Sequence, residues 1–222
     1  MNPPGPVHPP VGRAARPGYP VNLVVAGRRC LVVGGGRIAA RKVTALLDAG
    51  AAVEVVAPEP GEQIRELAAS GALTLCQRPF AATDLDGAWL AVTATGDLTV
   101  DRSVAEAAEA ARVWLSTADD PEVGSFTAVS ALRRGDLVVT VGTGGRSPAL
   151  AAWLRRRLGD ELGPEYATLV DIMSEARERL RAEGRPTEDA DWQSALDSGM
   201  LDLIRAGRVD EAEELLRACL WS

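Results

Sequence analysis

Histidine is almost missing from this sequence: of 222 residues only His8 is one, and it lies in a proline-rich N-terminal stretch. A His-based metal site or a Ser-His-Asp triad in the folded body is therefore excluded. Cysteine is also scarce, and Cys30, Cys76 and Cys219 are widely spaced with no CxxC pair. We expect no disulfide framework, no metal site and a reducing, cytoplasmic location.

Long apolar runs are missing as well. No stretch approaches the roughly 20 apolar residues of a transmembrane helix. Residues 1–20 hold seven prolines and no apolar core, which predicts a flexible tail over 1–19 and no signal peptide. The net charge of −7 argues against a broad nucleic-acid surface, although a local basic pocket is compatible with it. We expect neither a membrane span nor a nucleic-acid partner.

A glycine-rich turn is the most informative motif that is present. The apolar run 30–33 ends at three glycines, and an amphipathic segment follows at once. Gly34, Gly36 and Ala39 form the G-x-G-x-x-A pattern of dinucleotide-binding turns, in which a pyrophosphate approaches the backbone at the start of a helix. Because glycine turns after strands are common, the pattern alone leaves a dinucleotide site and an ordinary turn about equally favoured.

Strand-like and helix-like segments alternate after this turn, which predicts a parallel sheet with helices on both faces. The predicted strands are 30–33, 53–57, 73–76, 88–95 and 113–116, with helices over 37–49, 61–70 and 98–112. Residues 20–25 look like a short peripheral strand before the sheet. The fold class is therefore α/β and Rossmann-type.

The alternation stops after residue 116. Segments 125–132 and 137–141 are strand-like around 133–136, which indicates a hairpin. Helices follow from Pro148 onward, with a break at 183–186 and two short helices over 191–203 and 210–220. The predicted domains are a tail (1–19), a nucleotide-binding domain (20–120), a hairpin segment (121–146) and a small helical domain (147–222).

The second strand ends at Ala57-Pro58-Glu59, where many NAD-dependent dehydrogenases place an acid for the ribose hydroxyls. Glu59, or backbone groups of Pro58 and Glu59, could take that role. The alternative is that Glu59 is an acid favoured at the start of a helix. No arginine follows the strand to meet a 2′-phosphate, so NAD is favoured over NADP.

Small and hydroxyl side chains follow the fourth strand, at the edge where a parallel sheet binds ligands. Thr93 and Thr95 leave room for a nicotinamide ribose. Alternatively, these residues belong to a plain loop in which Asp97 caps the next helix.

Ser116 and two acids, Asp119 and Asp120, follow the fifth strand at the same edge. A carboxylate there could accept a proton, and adjacent acids can raise one another's pKa. Asp before Pro121 is also a common turn sequence, and spacing alone favours the turn.

A second glycine-rich helix start lies at 143–148, where Ser147 suits the N-cap and Pro148 the first helical position. It could hold an anion with help from Arg146, or it could simply join two domains. Arginines cluster around the predicted domain junction, which indicates an acidic substrate unless they are merely solvated; they are Arg133, Arg134, Arg146 and Arg155 to Arg157.

Together, these motifs resemble those of the precorrin-2 dehydrogenase/sirohydrochlorin ferrochelatase family, the N-terminal module of sirohaem synthases. The order and spacing hold across about residues 19–160. The matching stretches are 20–23, 30–36, 40–42, 47–51, 56–59, 91–95, 119–121 with 125–126, and 144–151. The later helices match only in length and helicity.

The resemblance implies that NAD accepts a hydride as precorrin-2 is oxidised to sirohydrochlorin, and that some members then insert Fe²⁺. It places the general base at Asp119 and the NAD contacts at Arg37, Ile38, Pro58 and Glu59. It also implies homodimers with a dimerisation hairpin, and from its length we expect this chain to lack the methyltransferase module of some relatives.

The predicted cofactor site therefore comprises Gly34, Gly36, Arg37, Ile38, Pro58, Glu59, Thr93 and Thr95. We expect substrate contacts at Ser116, Arg146 and Ser147, although some family members have Asn at the position of Ser116. The alternative function is a Rossmann-type NAD(H)-sensing or ligand-binding module without catalysis. Such sensors usually keep a clear acid after the second strand and lack a substrate-facing carboxylate, which favours the enzyme. A narrower variant is a chelatase that no longer oxidises.

Overall fold

The computed structural model describes residues 18–118 and 123–221. The chain divides into two compact units, the first ending at Ala128 and the second beginning at Val129. Within the described residues, the first unit contains β1 (Arg29–Val33), α1 (Arg37–Asp48), β2 (Ala52–Val56), α2 (Glu62–Ala69), β3 (Thr74–Cys76), a 3-10 helix (Ala82–Leu85), β4 (Leu90–Thr93), α3 (Leu98–Ala111) and β5 (Trp114–Thr117).

The five strands form one parallel sheet in the order β3-β2-β1-β4-β5, which confirms the predicted fold class. The chain builds outward from β1 in one direction through β2 and β3, and in the other through β4 and β5. The carboxyl ends of β1 and β4 therefore border the point where the strand order reverses. Sheets of this kind bind their ligands in the crevice at that point.

Strand β1 lies at the centre of the sheet and is buried on both faces, which explains its unbroken apolar sequence. Cys30 and Val32 pack in one hydrophobic cluster with α1, whereas Leu31 and Val33 pack in another with α3. This alternation is the two-residue period of a strand between two helical layers. Helices therefore cover both faces of the sheet.

A strand prediction and a helix prediction are wrong. Residues 20–25 are not in a strand, because Val21 and Val24 are exposed and, in this segment, only Val25 reaches the core. The single helix predicted over 191–203 is two helices, since Gly199 adopts a left-handed φ of +88° between them.

The second unit begins with the predicted antiparallel hairpin and continues as helices. The first strand of the hairpin starts at Ser130 rather than at residue 125, and it includes Arg133 and Arg134, which were predicted to lie in the turn. In the described residues these elements are β6 (Ser130–Arg134), β7 (Leu137–Val141), α4 (Pro148–Glu161), α5 (Glu165–Ala182), α6 (Trp192–Asp197), α7 (Met200–Arg205) and α8 (Val209–Leu220). The hairpin packs on α4 and α5. Leu180, Met200 and Leu216 centre the helical core. Among the helices of the described residues, none combines the length and the apolar sequence that a membrane span requires.

An ion pair fixes the segment that leads into β4. Asp84 is only 4% exposed, and its carboxylate accepts hydrogen bonds from the Arg78 guanidinium at 2.5 and 2.9 Å and from the Ala81 N–H at 2.9 Å. Hydrogen bonding by Arg78 lowers the pKa of the Asp84 carboxyl below its ordinary value. The pair therefore stabilises the fold while Asp84 is charged.

Arg78→Met is expected to lower the urea concentration at the unfolding midpoint by about 0.5 M at pH 7, because it leaves the buried Asp84 carboxylate short of hydrogen bonds. The depressed pKa of Asp84 means that this contribution is present above the unfolded-state pKa and is lost as the pH falls below about 4. Urea unfolding over a pH series checks the result. Arg65→Met, at an exposed position of α2, is the control. A stability deficit of the Arg78→Met variant that stays constant down to acid pH contradicts the prediction.

Candidate functional site

The first two glycines of the turn are required by the protein's own packing. Gly34 has a φ of +120°, and a Cβ atom there would lie 2.3 Å from the Ala94 carbonyl oxygen after β4. A Cβ at Gly35 would lie 2.6 Å from the Cα of Pro60, in the loop after β2. The ends of three strands thus meet at this turn, and side chains would push them apart.

Gly36 differs, because a Cβ there would meet nothing within 4 Å among the described residues. It is exposed and forms the N-cap of α1, where no side chain of the described part caps the helix. Uncapped N–H groups beside open space at a helix start suit an anionic group. The residues present therefore fit a dinucleotide, whose pyrophosphate would be held at Gly36 and the first residues of α1.

The other residues predicted to bind the pyrophosphate and the adenine ribose are also exposed. Arg37 and Ile38 occupy the first turn of α1 and are exposed, as are Pro58 and Glu59 after β2. The N–H of Gly61 donates to the Gly35 carbonyl at 2.8 Å, which ties the loop after β2 to the glycine turn. Glu59 precedes the N-cap of α2, whose first-turn acid is Glu62.

At the end of β4, the structure gives the predicted threonines a partner that sequence reasoning missed. Thr93 is fully buried and donates a hydrogen bond to Asp101 of α3, and Thr95 donates to the same oxygen, Oδ1, at 2.7 Å. Asp97 caps α3, accepting from the Thr99 N–H at 2.8 Å. In the sequence, Asp101 looked like any acid in the first turn of a helix, so nothing local singled it out.

Polar side chains lie at the end of β5. Ser116 and Thr117 are buried opposite Val92 and Thr93 of β4, and the Ala118 N–H donates to the Thr93 carbonyl at 3.0 Å. Asp119, the predicted base, lies outside the described residues together with 120–122. Its described neighbour, Ala118, lies at the carboxyl edge where β4 and β5 end.

Two predicted substrate contacts, Arg146 and Ser147, belong to the second unit. Ser147 is the N-cap of α4, as predicted, and its hydroxyl accepts from the Leu150 N–H at 3.3 Å. The Ser147 N–H donates to Thr143 Oγ1 at 3.0 Å, and Arg146 is exposed. The turn leaves a cationic side chain in solvent at the start of a helix.

Among the arginines near the predicted domain junction, one is held by hydrogen bonds to backbone carbonyls and another is exposed. Arg134 donates to the carbonyls of Leu162 at 2.7 Å and Gly159 at 3.1 Å, so it hydrogen-bonds backbone carbonyls at the C-terminal end of α4. Arg157 is exposed and lies 5.2 Å from the ring centroid of Trp153. An open groove in this unit is lined by Leu132, Arg134, Trp153, Arg155, Arg156, Arg157, Gly159 and Asp160. Its excess of guanidinium groups suits an anionic ligand.

Comparisons with known proteins agree with this geometry. The family described as "Putative NAD(P)-binding" matches residues 21–130, which include the glycine turn and the whole parallel sheet. The chain is 36% identical over 203 residues to a protein of Nitrosococcus oceani named "Siroheme synthase", covering 90% of this chain and 43% of that one. It is 37% identical over 197 residues to the protein of the same name from Chromobacterium violaceum, covering 87% and 41%.

A solved structure extends the likeness to the full fold. The chain matches "SirC, precorrin-2 dehydrogenase" with a TM-score of 0.69 and 26% identity, covering 90% of this chain and 99% of that one. By contrast, this chain spans about two fifths of the length of the curated relatives that it matches.

Proposed function

The chain belongs to the family of precorrin-2 dehydrogenases and sirohaem synthase N-terminal modules, and on that premise we propose that it oxidises precorrin-2 to sirohydrochlorin with NAD. The observation that carries the proposal is the glycine turn, where only Gly36 is left open and the start of α1 has no capping side chain in the described part. The likeness to a precorrin-2 dehydrogenase over 99% of its length supports the same reaction.

The cofactor is assigned to the carboxyl edge of the sheet. The N–H groups at the start of α1, with Arg37 and Ile38, hold the pyrophosphate, and Pro58 and Glu59 lie where the adenine ribose binds. The nicotinamide half then lies over the end of β4, at Thr93 and Thr95. When bound there, NAD supplies the hydride acceptor.

The base is assigned to Asp119, by resemblance to the family and by the position of its described neighbour at the ends of β4 and β5. Oxidation of the macrocycle removes a hydride and a proton, and a carboxylate beside the nicotinamide end can take that proton. We propose Ser116, Arg146 and Ser147 as substrate contacts, and the guanidinium groups of the groove on α4 as cationic partners for substrate carboxylates.

The proposal also covers a second substrate, the oligomeric state and the cellular compartment. Fe²⁺ is a second substrate: its insertion into sirohydrochlorin displaces two pyrrole protons, of which Asp119 takes one and solvent the other. The part described contains no cluster of three or more His, Cys, Asp or Glu that could hold a metal. The protein acts as a homodimer in the cytoplasm. The thiols of Cys30 and Cys76 are not in disulfides, which fits a reducing compartment, and a two-stranded hairpin with an exposed Val129 fits a dimer contact.

Purified protein of measured oligomeric state, incubated with precorrin-2 and NAD, is expected to form NADH and sirohydrochlorin in equal amounts. A second arm supplies sirohydrochlorin and Fe²⁺ without NAD and follows formation of sirohaem. No product in the first arm at ample enzyme overturns the dehydrogenase. NADH binding without turnover in either arm supports a sensing module instead, and turnover in the second arm alone supports a chelatase.

A further inference from the structure

The carboxylate of Asp101 is an unusual group in the first unit. Asp101 lies in α3, is 1% exposed and contacts the end of β4. Its Oδ1 accepts hydrogen bonds from the hydroxyls of Thr93 and Thr95. Its other oxygen, Oδ2, is buried and has no hydrogen-bond partner among the described residues.

The unpartnered Oδ2 is a cost to stability. A buried polar oxygen without a partner loses its hydration and gains nothing in return. Val104 and Ala108 of the same helix pack in the hydrophobic cluster beneath. Buried groups that are only partly satisfied call for an explanation other than stability.

The hydroxyl of Thr95 supplies that explanation. A hydroxyl has one hydrogen. Two acceptors lie within reach of it, Asp101 Oδ1 at 2.7 Å and the Asp97 carbonyl at 3.1 Å, while the Asp97 N–H donates to the hydroxyl oxygen at 3.1 Å. Only one lone pair is left, so Thr95 can accept a hydrogen bond from a ligand but cannot donate one. Thr95 is half-buried, and its backbone nitrogen lies 3.2 Å from where a Cβ of Gly34 would be, which places it beside the glycine turn.

We propose that Asp101 is a positioning residue that holds the Thr95 hydroxyl as a hydrogen-bond acceptor toward the nicotinamide half of the bound dinucleotide. The inference rests on the proposed function, which puts the pyrophosphate at α1 and the adenine ribose at β2. What remains for the end of β4 is the half that bears ribose hydroxyls and a carboxamide, both of which donate hydrogen bonds. A phosphate is disfavoured at this position, because its oxygens would face an acceptor backed by a carboxylate.

The test compares two ligands, NAD and ADP, because ADP lacks the nicotinamide half. Asp101→Val removes the nearer acceptor and leaves the Thr95 hydroxyl only the longer hydrogen bond to the Asp97 carbonyl, so that the hydroxyl is held less firmly. The affinity for NAD is therefore expected to fall about fivefold while that for ADP is unchanged. Asp101→Asn restores an acceptor oxygen and should return NAD binding to near the wild-type value. Titration calorimetry measures each affinity.

Val104→Ala, which removes buried atoms from the same helix, is the matched control for a structural effect, and it should leave the ratio of the two affinities unchanged. Equal losses for NAD and ADP in Asp101→Val, or no rescue by Asp101→Asn, overturn the inference. If the valine variant does not fold, Thr95→Val against Thr95→Ser decides: NAD affinity must fall in the first and recover in the second. A wild-type protein that binds neither ligand overturns the proposed function itself.

Discussion

Gly36→Asp is expected to weaken NAD binding by about 100-fold while leaving the fold as stable as before or slightly more stable. Gly36 has φ −79° and ψ −175° at the N-cap of α1, a conformation in which Asp is a preferred cap. A Cβ meets no described atom within 4 Å, so the side chain fits. Its carboxylate would then take the N–H groups that the pyrophosphate needs and repel its charge.

Titration calorimetry with NAD and thermal unfolding measure the two effects separately. Gly36→Ala is the matched control, since it adds the Cβ without the charge and should cost less affinity. Gly34→Ala gives the opposite result, a destabilised protein, because its Cβ would collide with the Ala94 carbonyl. Unchanged NAD affinity in Gly36→Asp would mean that the pyrophosphate does not lie at the start of α1.

Asp119→Asn is expected to lower kcat for precorrin-2 oxidation by about a thousandfold, with the affinity for NAD unchanged. The amide keeps the size of the side chain and cannot take a proton at neutral pH. The described chain next to it supports the position, because the Ala118 N–H is bonded to the Thr93 carbonyl at the end of β4.

Steady-state rates with calorimetry of NAD binding check this result, and Asp120→Asn is the matched neighbour. A base must be deprotonated to act, so kcat/KM of the wild-type enzyme should fall as the pH is lowered. The residual activity of Asp119→Asn should not show this fall. Full activity in Asp119→Asn with loss in Asp120→Asn would move the base to the neighbouring residue.

The fold class was predictable because its determinants are local. Alternating apolar patterns and glycine turns identified the five strands and three helices of the sheet, and Ser147 before Pro148 marked the start of α4. The strand prediction for residues 20–25 was wrong because a strand also needs a neighbouring strand to hydrogen-bond with, and no local sequence pattern shows whether one is present. The break at Gly199 was missed because apolar spacing continues across it.

Within the site, the glycine pattern and the polar residues after each strand were predictable, since both depend on neighbours along the chain. The role of each glycine followed from how the strands pack: Gly34 and Gly35 leave room for the chain after β4 and β2, and in this turn Gly36 is left open. Only the docking of α3 against the sheet turned Asp101 from an ordinary helix acid into the buried partner of Thr93 and Thr95. Periodicity predicts which face of a helix is buried, but which polar atoms meet depends on how whole elements pack.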